Sequence, residues 1–255
     1  MLHAIDGLLQ WGSDADVEEI LRAGFLRDSE RRYAESVAPH MELAPGGRFA
    51  MGTDRAQARH FCGESPRHVV ELSPFLIGRC TVTNELFGVL DPRRVQLPAR
   101  DLLKPVVEIT WFDATLFAMW MGCRLPTEAE WEFACGAGQD GEWCCGDEAL
   151  LPRFAWYSEN SHGEVRTVGT REANPLGLFD LHGNVWEWCR DRYDQDYYRR
   201  SRIRDPFLAG SRGHRVCRGG SVHAQAEMCR TQYRFHEPAH FWAADLGMRL
   251  VRSAT

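Results

Sequence analysis

The sequence predicts a single α+β domain with few regular elements, and three observations carry that prediction. From Met41 onward the apolar residues come in short runs broken by Gly, Pro and Asn, with little sustained periodicity. Two of these runs open on capping signatures that fix helix starts, while others alternate over only four or five residues, the length of short strands. Nine tryptophans and thirteen phenylalanines supply large rings for a core whose backbone is mostly loop.

The elements follow in order. Residues 1–40 read as a helical N-terminal extension with two amphipathic stretches, 14–23 and 27–37. Val17, Ile20, Leu21 and Phe25 follow helical spacing after a cap at Ser13 or Asp14. This extension either packs on the main domain, residues 41–255, or docks a partner. HVVELSPFLIG alternates at Val69 and Glu71 and again at Phe75 and Ile77, which predicts strands. A helix is expected to start near Thr83 in TVTNELFGVL. WFDATLFAMWMG, entered between Thr110 and Asp113, is apolar on most sides and predicts a buried helix. Thr127 and Glu130 form a capping box for TEAEWEFACG, which should stop at Gly136. RVCRGGS and GMRLVR read as a buried terminal pair of strands. Met51, Met119, Met121 and Met248 have apolar company and are expected in the core.

Composition removes several classes of function. Apolar residues at 44 % and charged residues at 26 % are ordinary for a globular chain, and 255 residues can bury a core without staples. A net charge of −6 gives no reason to expect a nucleic-acid or anionic-membrane surface. Lys104 is the one lysine among 30 basic residues, a bias that base composition explains better than function. With no apolar run of about 18 residues and no signal-like leader, neither a spanning helix nor a membrane partner is expected. The nine cysteines are odd in number and show no CxxC, so they read as reduced thiols of a cytoplasmic protein. Adjacent Cys144 and Cys145 fit a plain loop better than a redox pair.

Six segments then stand in collinear order: APGGRFAMGTD, ESPRHVVELSPFLIGRCTVTNELF, PVVEITWFDATLFAMWMGCRLPTEAEWEFACGAG, NPLGLFDLHGNVWEWCRDRY, RVCRGGS and LGMRLV. Together they span residues 41–252, and RLPTEAEWE with GNVWEW is a specific combination. In these segments the chain resembles the formylglycine-generating enzymes, the sulfatase-modifying-factor domain family. The resemblance implies an irregular α+β fold of the C-type-lectin-like kind. The family includes copper-dependent oxidases that convert a sulfatase cysteine into formylglycine, iron-linked tailoring enzymes, and non-catalytic binding modules.

The resemblance also locates the sites. The oxidases hold copper(I) between two cysteines, C-x4-C, shortly after the GGS segment, and soft thiolates suit that ion. Here the first position is Ala224 and the second has no cysteine either, so formylglycine formation by that mechanism is not expected. Pairing Cys217 with Cys229, or an intermolecular site, would be a rescue. Calcium, by resemblance, falls to Asp180, the carbonyls of Gly183 and Val185, and Glu187, hard oxygen ligands around a glycine turn. Trp186 and Ser221 match positions that line the oxidases' cleft, and no histidine–acid pair supports Ser221 as a nucleophile. His223, His236, Glu237 and His240 with Cys229 invite an iron or copper reading, which needs a helical spacing that Pro238 opposes.

The segment 222–245 also reads as a surface. Tyr233, Phe235, His236, His240, Phe241 and Trp242 are large, low-entropy rings of the kind that protein-recognition loops use. With Trp186, Ser221 and His223 they compose a candidate ligand face for a protein or peptide partner. The leading expectation is a binding module of this family without the copper site. The alternative is an iron- or copper-dependent oxidative enzyme with another ligand set.

Overall fold

The structure, a computed structural model, describes residues 28–54 and 63–254. The expected helix over 14–23 lies outside the described residues. The second stretch is helical: α1, Ser29–Arg32, runs into a π turn over Tyr33–Val37 and a 3-10 turn over Ala38–His40. It packs on the main domain, with Val37 buried in the core and Arg252 both over the Tyr33 ring and paired with Glu30 at 2.8 Å.

Strands β1 (Met41–Ala44), β2 (Gly47–Met51), β3 (His68–Leu72) and β4 (Phe75–Gly78) come next. β2 and β3 form a two-stranded antiparallel ribbon, while β4 crosses to a second sheet between β1 and the final strand. The break at Ser73 and Pro74 thus divides the HVVELSPFLIG run between two sheets. Alternation holds in β3, where Val70 and Leu72 are buried and Val69 is 54 % exposed.

The helix expected at Thr83 is a single turn, α2 (Asn84–Phe87), with the Thr83 hydroxyl accepting from the Leu86 amide at 3.2 Å. It stops at Gly88, where a Cβ would meet Val95 at 2.3 Å. A second short turn, α3 (Ala99–Leu102), leads to α4 (Trp111–Trp120). Thr110 and Asp113 close a full capping box on α4, whose Phe112, Leu116 and Phe117 are buried. In α5 (Glu128–Gly136), Thr127 and Glu130 form the second box, and all nine residues are buried. Ala137 ends that helix in the left-handed region. Past α6 (Leu151–Phe154), the chain loops as far as β5 (Trp186–Arg192).

β5 is the axis of a four-stranded sheet, order β7-β6-β5-β8, with β6 at His214–Arg218, β7 at Phe235–Pro238 and β8 at Leu246–Gly247. β6 runs antiparallel to both neighbours, and β8 lies parallel to β5. The expected terminal pair is corrected here. β6 has β5 and β7 on its two edges, so β9 (Val251–Ser253) pairs with β4 in the other sheet. Met51, Met121 and Met248 are buried as expected, and Met119 is half-buried.

Burial here includes charge. Arg218, Arg234 and Arg249 are fully buried, and each meets a buried carboxylate. Arg234 grips Glu128 at 2.6 and 2.9 Å, Arg218 pairs with Glu132, and Arg249 with Glu187 at 2.7 Å. Buried Asp191 of β5 accepts from the amides of Glu128, at the start of α5, and Leu208. Burial first, and then the Glu128 charge, push its carboxyl up to about 7. An unfolded aspartate titrates near 3.9, roughly three units lower, so folding takes up a proton between those values. The stability this group gives is complete below the lower value and lost as pH rises through about 7. Urea unfolding should show wild type gaining on Asp191→Asn as pH falls from about 8 to 5. An advantage independent of pH would refute this assignment.

Candidate ligand face

Trp186 opens β5 and Phe235 opens β7, and their rings stack at 4.9 Å between centroids. Around them lies a cavity of about 220 Å³, walled also by Glu237, Phe241, Ala243, Asp245 and Leu246. Phe235 and Glu237 share it because alternate residues of a strand face the same side. The parallel pairing of Trp186 with Leu246, and the Trp186 amide donating to the Asp245 carbonyl at 2.8 Å, bring the loop before β8 to the same place. Ser221 is buried just behind and donates its hydroxyl to Asp245 Oδ2 at 2.6 Å. That bond ties the loop after β6 to the cavity wall.

Of the nine residues expected on this face, Trp186, Phe235 and Phe241 line the cavity, and Ser221 acts through Asp245. Trp242 is 58 % exposed beside it, and His240 is exposed on the turn where the Phe241 amide donates to the Pro238 carbonyl. Tyr233 is a correction, because it is buried in the core with its ring 6.0 Å from Trp186. The flanking arginines explain this: Arg230 pairs with buried Glu64 and Arg234 with Glu128, pinning the segment inward. His223 is exposed and sits over Gly163, apart from the cavity. Ala243 and Asp245 fall within the expected 222–245 segment without being singled out there, and Leu246, the first residue of LGMRLV, lies just outside it.

The iron or copper grouping does not assemble. β7 puts His236 and Glu237 on opposite faces, with His236 Nδ1 2.8 Å from His214 Nδ1 and its ring against Tyr193. Among the described residues, no group of three or more His, Cys, Asp or Glu could hold a metal ion. Cys217 and Cys229 are both buried free thiols, and Cys229 rests on Gly220, where a Cβ would come within 2.5 Å of its sulfur. Burial pushes the Cys229 thiol up to about 12. Cys144 and Cys145 are likewise free.

The expected calcium positions include one tight turn. Gly183 has φ 99°, and a Cβ there would strike the Trp156 carbonyl at 2.2 Å, so only glycine permits the approach. Asp180 is buried; its Oδ2 accepts from the Gly169 amide at 2.7 Å, while Oδ1 has no partner among the described residues. Burial pushes its carboxyl up to about 6. Both oxygens of Glu187 are engaged, by Arg249 at 2.7–3.1 Å and by the Trp131 indole at 2.8 Å. Of the two expected side-chain ligands, Asp180 keeps one open oxygen that suits a hard cation, and Glu187 could join only by sharing oxygens already in use.

Residues 27–254 match the sulfatase-modifying factor enzyme 1-like domain model, and the chain belongs to that family. A formylglycine-generating enzyme of Streptomyces coelicolor is 32 % identical over 277 aligned residues, which cover 82 % of this chain and 88 % of the relative. An inactive Cα-formylglycine-generating enzyme 2 of Bos taurus is also 32 % identical, over 62 % of this chain and 73 % of its own. The match to a serine/threonine-protein kinase pkn1 of Chlamydia pneumoniae, 31 % identical, spans 37 % of that protein. Among solved structures, Treponema denticola variable protein 1 superposes with a TM-score of 0.73 at 25 % identity, covering 84 % of this chain and 95 % of the other. PvdO from Pseudomonas aeruginosa reaches the same TM-score at 24 % identity, covering 84 % and 94 %, a likeness of fold. The irregular α+β fold expected from the sequence is the one found. Among the described residues, no helix is long and apolar enough to cross a membrane.

Proposed function

We propose that this chain is a binding member of its family that does not make formylglycine, and that its ligand is a protein segment held at the Trp186 cavity. The observation that carries the reading is at residue 224. A buried alanine stands where the resemblance places the first copper thiolate, and Cys229 is consumed by packing on Gly220. The cavity volume suits one apolar side chain, Glu237 and Asp245 make its wall acidic, and Phe241 and Trp242 extend it with exposed rings. An extended peptide with a large apolar residue beside a basic one matches that surface.

The test begins with a displayed peptide library selected on the intact protein. Enriched peptides should carry that apolar–basic pattern and lose at least roughly thirtyfold in affinity to Phe241→Ala/Trp242→Ala, since aromatic anchors cost about 2 kcal/mol or more. An unchanged affinity would remove the cavity from the reading. Formylglycine detected by mass spectrometry in a cysteine-containing sulfatase peptide, with copper(I) and oxygen, would overturn the reading altogether.

A structural calcium ion belongs to the same proposal, held by Asp180 and the carbonyls of Gly183 and Val185. Its support is the orphaned Asp180 oxygen. A ligand bound only by the folded state stabilises it by mass action, so calcium should raise the melting temperature of wild type and not of Asp180→Ala. A melting curve indifferent to excess chelator and to added calcium would dismiss the ion. The free thiols support a reducing, cytoplasmic setting.

A further inference from the structure

A second cavity, of about 520 Å³, lies between β1, β4 and α2 and shares no wall with the Trp186 face. Val37, Val82 and Leu250 give it an apolar floor, and exposed Val89 and Leu103 stand at its mouth. A cleft of this size, apolar but for a few polar groups, is the usual form of a small-molecule site.

Positive charge gathers at one end of this cavity. β1 and β4 pair Met41 with Gly78, and just beyond that pair the Arg79 amide donates to the His40 carbonyl at 2.8 Å. His40 and Arg79, the two lining residues whose side chains can be cationic, therefore share one rim, and both are exposed there. The Arg79 guanidinium stands 5.9 Å from the centre of the Phe179 ring, which lines the same space. Its ion pair with Glu42, at 3.2 Å, joins two partly exposed side chains, a contact worth little, and Arg79 makes no side-chain hydrogen bond among the described residues. The planar fork is thus open to the two oxygens of a carboxylate. Glu42 at that rim and Glu85 on the α2 side favour an occupant with one negative charge over one with two.

We propose that this cavity binds an aliphatic carboxylate, its chain on the apolar floor and its head on the Arg79 guanidinium. The floor supplies the affinity and Arg79 supplies the orientation. This site is independent of the peptide reading.

Isothermal titration of the full chain with octanoate tests the proposal. Binding should saturate at one octanoate per chain, and 1-octanol, the same chain with a neutral head, should bind roughly tenfold or more weakly, the worth of a hydrogen bond to a charged group. Arg79→Gln should bring octanoate down to the octanol level and leave octanol unchanged, a split that a merely structural role of Arg79 would not give. Val89→Trp, which crowds the mouth, should weaken both about tenfold with the melting temperature kept, whereas Phe241→Ala/Trp242→Ala should change neither. Absence of saturable octanoate binding by the full chain, a preference over octanol that survives Arg79→Gln, or octylamine bound more tightly than octanoate would overturn the proposal.

Discussion

Arg249→Ala should cost the domain about 3–5 kcal/mol, the range for removing one partner of a buried ion pair. Its guanidinium holds both oxygens of Glu187 and also donates to the carbonyls of Gly78 and Phe179. One substitution therefore strands a carboxylate that is wholly buried and frees two carbonyls joining β4 to the loop before β5. Equilibrium urea unfolding measures the loss. The double variant Glu187→Gln/Arg249→Met should be less damaged than the two single losses summed, because the pair fails as a unit. A single variant within about 1 kcal/mol of wild type would mean that water reaches Glu187, contrary to its burial.

Tyr233 and Trp242 should separate completely. Tyr233→Ala removes a ring packed between Trp186 and Arg230 and should destabilise by about 3–5 kcal/mol, as large-to-small changes in cores do. Trp242→Ala alters an exposed ring and should stay within about 0.5 kcal/mol. Thermal unfolding of both variants distinguishes framework from surface in one segment. A large loss for Trp242→Ala would take that ring out of any ligand face.

What the sequence revealed of this molecule follows the range of the interactions. The capping boxes of Thr110 with Asp113 and Thr127 with Glu130 close within three residues, so α4 and α5 start where the letters say. The choice of partners for β6 and β9 does not, because both are short strands and only the occupied edges of β6 decide the matter. Glu187 reads as a metal ligand in its motif, while the arginine that claims it lies 62 residues away. Tyr233 and Trp242 look alike in a segment without periodicity; the inward pull of Arg230 and Arg234 is tertiary and leaves no local mark. Trp186 was placed by motif alone, and its neighbours Asp245 and Ala243 came to it through the parallel β5–β8 pairing.

Arg218, Arg234 and Arg249, with no exposure at all, set a limit on how this chain can drift. It has 30 basic residues, of which Lys104 is the single lysine. At an exposed position such as Arg204 a step to lysine keeps the charge and is close to silent. At 218, 234 and 249 it is not. Arg249 serves Glu187 and two carbonyls at once through a planar fork, and Arg218 spans Glu132 and the carbonyls of Thr231 and Tyr233. An ammonium has fewer donors, none coplanar, and sheds its proton when it is desolvated. A descendant under the opposite mutational bias would take up lysines at the exposed positions first, while these three codons persisted among the arginine islands marking the core.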